Sequence, residues 1–113
     1  MTRIASVSTL RLFYKRHQMN NTRDIDLALL RAFIAVVETG SFSAAGRAFE
    51  KTASAVFYQI HRLEETVNQK LLIRDRRKIK LSKDGHRFLS QAHALLQLND
   101  QILNGKWRVR SSE

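Results

Sequence analysis

At 113 residues, 43% of them hydrophobic, the chain supports one compact core and not two. It contains no cysteine and no proline; a disulfide framework and a thiolate metal site are excluded, and a reducing cytoplasm fits. No apolar run approaches the roughly 18 residues of a spanning helix, and 20 Lys+Arg against 10 Asp+Glu favour an anionic partner, nucleic acid before a membrane surface.

Residues 1–24 open the chain as a basic segment, with Arg3, Arg11, Lys15, Arg16 and Arg23 ahead of the first acid at Asp24. Its Ser/Thr/Arg-rich composition is that of an organellar presequence or a short basic arm. Met19 stands just before the first strong helical pattern, so a start-site artefact is the competing reading. The segment is expected to be unordered.

From Asp26 the periodicity is helical. Leu27, Leu30, Ile34 and Val37 recur at helical steps beside a stripe of Leu29, Phe33 and Val36. Asp26 suits the N-cap and Gly40 the left-handed residue that closes the helix. Ser41 then caps a short second helix whose Ala44, Ala45, Gly46 and Ala48 permit close packing, and Phe49 is expected to bury its end. After a turn at Glu50-Lys51, Thr52 caps a third helix reaching about Asn68, with Val56, Ile60, Leu63 and Val67 on its core side. Two helices joined by so short a turn, behind a longer first helix, form a helix-turn-helix.

Leu71–Arg74 and Lys78–Leu81 predict two short strands around Asp75-Arg76-Arg77, a hairpin wing with Ile79 and Leu81 facing inward. Ser82 caps a last helix over residues 83–104. In it Phe88, Ala92, Leu95, Asn99 and Ile102 alternate steps of four and three, about three heptads of a dimerisation seam. Packing of that stripe onto its own domain is the competing reading. The domain organisation is therefore a basic segment at 1–24, a winged helix-turn-helix at 25–82, a dimerisation helix at 83–104 and a polar tail at 105–113. The fold class is mainly α, three helices plus a short β-hairpin followed by a long helix.

These residues resemble the N-terminal domain of LysR-type transcriptional regulators over about Ile25 to Asn104. The resemblance rests on D-L-x-L-L-R-x-F-x-A-V-x-E-x-G-S-F-S-A-A from Asp26, S-A-V with Q-I-x-R-L-E from Ser54, and L-L-x-R with I-x-L-S-x-x-G from Leu71, in order and without gaps. It implies that the helix starting near Thr52 enters the major groove of double-stranded DNA, that the wing follows the backbone or minor groove, and that the last helix makes a homodimer. Two departures stand out. Thr52-Ala53-Ser54-Ala55 replaces the family's usual Ser-Gln-Pro-Ala, and Phe57-Tyr58 its Ser/Thr-Arg. The family's α/β effector-binding domain is also absent, so no small-molecule effector is expected.

Candidate DNA contacts are Ser41, Thr52, Ala53, Ser54, Phe57, Tyr58, Gln59, Arg62, Arg74, Arg76, Arg77 and Lys78. Thr52 and Ser54 can donate at a helix N-terminus, where the dipole favours anions, though Thr52 serves equally as a cap. Tyr58 suits a phosphate or a thymine methyl, and Gln59 suits bidentate contact with adenine if it points outward. The basic hairpin also reads as an ordinary solvated surface. His17, His61, His86 and His93 do not form a metal constellation, no paired carboxylate marks a cleft, and neither a cofactor nor an enzyme is expected. The expected function is a cytoplasmic LysR-type transcription regulator reduced to its DNA-binding and dimerising unit. The alternatives are an interaction fragment that pairs with full-length relatives and a remnant without function.

Overall fold

The computed structural model describes residues 24–76 and 78–105. The expectations for the basic N-terminal segment through Arg23, for Arg77 and for the tail from Lys106 lie outside the described residues. Helix α1 spans Leu27–Thr39, α2 Phe42–Ala48 and α3 Ala53–Val67; strands β1 (Leu72–Asp75) and β2 (Lys78–Leu81) follow, then α4 (Lys83–Leu103). The fold is the expected winged helix-turn-helix with a long terminal helix.

Local chemistry sets each boundary. Asp26, Ser41, Thr52 and Ser82 accept from the backbone N–H of Ala28, Ala44, Ala55 and Gly85 at 2.9, 2.9, 3.0 and 2.8 Å, so all four expected N-caps are formed. Gly40 closes α1 at φ 80°, and Asn68 closes α3 in the same left-handed region at φ 55°. Asn accepts that region more readily than most residues because its short amide bonds locally.

One core holds the elements together. Leu29, Leu30, Phe33 and Val36 of α1, Ala45 of α2, Val56, Ile60 and Leu63 of α3, Leu71 and Leu72 at the wing, and Phe88, Ala92 and Leu96 of α4 are all buried. Phe33 and Phe88 meet edge to face, centroids 5.4 Å apart, and so lay α4 against α1. Farther along, Arg31 and Asp100 face each other at 3.8 Å. The strands pair antiparallel with Leu72 opposite Leu81 and Asp75 opposite Lys78, and Arg76 enters the turn at φ 62°.

Three expectations need correction. The first strand runs Leu72–Asp75, one residue later than expected, because Leu71 is buried at the wing root and its amide bonds Glu64. Phe49 does not bury the end of α2 and is 40% exposed; α2 is anchored instead by Ala45 and Gly46. The stripe assigned to dimerisation is divided: Phe88 and Ala92 lie in the domain's own core with Leu96, while Leu95 and Ile102 remain exposed. The first turns of α4 lie over the apolar stripe of α1, so for Phe88 and Ala92 the competing reading, packing onto their own domain, holds.

Candidate nucleic-acid interface

The turn before α2, the start of α3 and the wing enclose one open groove of about 690 Å³. Gly40, Ser41 and Ser43 form one side, Ala53, Ser54 and Phe57 another, and Arg74, Arg76, Lys78 and Ile79 the third, with Phe42 between them. Among the described residues, three cations and no carboxylate line it. The N-terminus of α3 opens beside it, where free backbone N–H groups and the helix dipole add positive potential.

The groove gathers most of the expected contacts. Ser41 is half-buried and Thr52 exposed; each hydroxyl accepts a capping bond and keeps its own O–H to donate. Ala53 is half-buried and Ser54 exposed. Beyond them α3 presents an outward stripe of Ser54, Phe57, Tyr58, His61, Arg62 and Glu65, all exposed at helical spacing. Tyr58 is 61% exposed, the most accessible large ring of the described residues. Of the expected contacts, Thr52, Tyr58, Gln59 and Arg62 do not line the groove.

Gln59 and Phe57 have surroundings of their own. Gln59 is half-buried on the flank of α3, and its Oε1 is enclosed without a hydrogen-bond partner among the described residues. Bidentate reading of adenine needs both amide atoms free, so Gln59 as placed does not present that pair. Phe57 turns toward the wing. Its ring meets Phe42 edge to face at 5.4 Å, and the Arg74 guanidinium carbon lies 5.9 Å from its centroid.

Sequence reasoning missed Phe42, Ser43, Ile79 and Glu64. Ser43 and Ile79 reach the groove only through the tertiary arrangement. Glu64 is the last residue of the Q-I-x-R-L-E motif. Its Oε2 accepts from Leu71 N at 2.8 Å and Leu72 N at 3.1 Å, fixing the wing root to α3. Within the hairpin Lys80 pairs with Asp75 at 3.4 Å and does not line the groove, where Arg74, Arg76 and Lys78 are the cations among the described residues. Among the described residues no group of His, Asp or Glu is placed to hold a metal ion, and no helix is long and apolar enough to cross a membrane.

The architecture has solved counterparts. It resembles the BenM DNA-binding domain in complex with benA site 1 DNA, with TM-score 0.69 and 35% identity over 79% of this chain and 100% of that one. It also resembles the CbnR DNA-binding domain in a DNA complex, with TM-score 0.68 and 29% identity over the same shares. In sequence it is 41% identical over 78 residues to the HTH-type transcriptional regulator PecT of Dickeya dadantii, covering 69% of this chain and 25% of that protein. An uncharacterized HTH-type transcriptional regulator in the ibpB-leuC intergenic region of Azotobacter vinelandii is 42% identical over 74 residues, 66% of this chain and 51% of that protein. The chain thus spans a quarter to a half of the length of these relatives. Residues 27–86 match the family of bacterial regulatory helix-turn-helix proteins, lysR family, and the chain belongs to that family.

Proposed function

We propose that this chain binds double-stranded DNA as the DNA-binding and dimerising unit of a LysR-type transcription regulator, acting in the cytoplasm. The observation that carries this reading is the acid-free groove, where Arg74, Arg76 and Lys78 face the start of α3. A backbone phosphate there meets side-chain cations, the hydroxyls of Ser41 and Ser54, and the positive end of a helix capped by Thr52. The α3 stripe enters the major groove, with Ser54 and Tyr58 nearest the base edges and Arg62 farther along on the backbone. Phosphate contacts supply most of the affinity, and the wing, with Arg77 included, supplies most of those contacts.

Salt titration of duplex binding by the purified chain tests this reading. Each neutralised phosphate contributes about 0.9 to the slope of log K against log salt. Arg76→Ala with Lys78→Ala is expected to lower the slope by about two contacts' worth and to weaken all duplexes alike. Equal slopes for parent and variant would refute the role of the wing.

A homodimer through the exposed part of α4 belongs to the same proposal. Leu95, Leu98, Ile102 and Leu103 are 41–75% exposed on that helix. The same stripe also suits pairing with the corresponding helix of a related regulator. Co-purification of a longer relative in place of a homodimer would favour that second reading.

A further inference from the structure

Phe57 occupies the outward face of the helix proposed to enter the major groove, yet it carries no hydrogen-bonding atom and remains 52% exposed. Its surroundings supply a reason. The Arg74 guanidinium carbon lies 5.3 Å from the Phe42 centroid and 5.9 Å from that of Phe57, and the two rings meet at 78°. Three elements thus converge on one cation: the start of α2, the second turn of α3 and strand β1. Lys70, Lys80 and Arg87 each face a carboxylate, whereas Arg74 has no carboxylate or hydrogen-bond partner among the described residues.

A guanidinium beside aromatic rings is attracted by their quadrupoles, and with five N–H donors it can still present some of them to a planar or tetrahedral oxyanion. Arg74 lines the acid-free groove. Its rotamer freedom is restricted on folding, so less is lost when an anion arrives. We infer that Phe57 is a positioning residue for phosphate binding and not a reader of bases: with Phe42 it holds the Arg74 guanidinium over the groove to receive a backbone phosphate. Tyr58 and Ser54 are then left to meet the base edges. This inference rests on the DNA-binding reading above and assigns a division of labour within it.

A double-mutant cycle tests it on the full chain, with random-sequence and selected duplexes as probes. Phe57→Leu keeps an apolar side chain but removes the ring face, and Phe57→Trp restores a ring. Thermal unfolding checks that each variant is folded. Phe57→Leu is expected to weaken every duplex by about two- to fivefold, the range of one exposed cation–π contact. Phe57→Trp is expected to bind like the parent, and the Phe57→Leu loss is expected to vanish in an Arg74→Gln background, where the salt slope has already fallen by about 0.9. A Phe57→Leu change in preferred sequence, or losses that add to those of Arg74→Gln, would overturn the inference while leaving DNA binding intact. A folded parent chain that binds no duplex would remove the DNA-binding reading and this inference with it.

Discussion

Single atoms decide whether the helix-turn-helix closes. A Cβ on Gly46 would lie 2.5 Å from the Lys51 carbonyl oxygen, inside any real contact distance. Alanine is the better helix former by about 1 kcal/mol, but forcing the turn away from α2 costs more, so Gly46→Ala is expected to destabilise by roughly 1–3 kcal/mol in chemical denaturation. At Gly85 an added Cβ would collide with the Leu71 carbonyl, which is itself held by the Ser82 amide at 2.9 Å. Glu64 acts at the same junction from the other side. Removing its carboxylate leaves two wing-root amides unpaired, and Glu64→Ala is expected to cost about 1–3 kcal/mol, with Glu64→Gln milder because it keeps one acceptor oxygen. Amide exchange at Leu71 and Leu72 is the direct readout: protection unchanged in Glu64→Ala would mean that these bonds do not hold the wing.

Among the elements, α3 carries the consequence for recognition. Gln59 has its carbonyl oxygen enclosed, and Phe57 is engaged with Phe42 and Arg74, so Ser54 and Tyr58 are the exposed polar groups near the groove end of the helix. Neither makes the bidentate contacts that contribute roughly 1–3 kcal/mol of discrimination each. Selection from random DNA is therefore expected to return a degenerate consensus, with specific binding near the low end of the usual ~10³–10⁷ ratio. Tyr58→Ala should flatten that consensus further, and Gln59→Ala should leave it unchanged; a sharp consensus that persists in Tyr58→Ala would assign base reading elsewhere. The sequence made these elements legible where the cause is local. Asp26, Ser41, Thr52 and Ser82 are caps because their oxygens reach amides two or three residues ahead. Ile79 and Leu81 turn inward because strand period is two. Orientation of Gln59, the Phe57–Arg74 contact and the Glu64 bonds depend on where separate elements cross, and no spacing along the chain encodes that.

At the scale of the molecule, α4 is longer than the surface available to it. Its 21 residues extend about 31 Å and the 13 of α1 about 20 Å. Phe88, Ala92 and Leu96 take the covered side, and Leu95, Leu98, Ile102 and Leu103 are exposed. Leu95, Leu98 and Ile102 follow steps of three and four, one continuous face of a helix. Soluble monomers rarely expose contiguous apolar patches beyond a few hundred Å², and a second copy of the same helix matches this one in chemistry and length. A two-fold pair would also carry two α3 helices, which suits two half-sites on one face of the duplex. The divided stripe makes the core role of α4 and its proposed dimer contact separable by substitution. Phe88→Ala opens the core and is expected to cost about 3–5 kcal/mol without addressing association. Leu95→Glu with Ile102→Glu alters exposed positions, so the isolated domain should keep its helical signature while its mass at micromolar concentration falls to that of a monomer in sedimentation. The same double variant should lose most affinity for paired half-sites and little for a single one, because only the linkage between heads is removed. An unchanged mass would refute the proposed contact through Leu95 and Ile102.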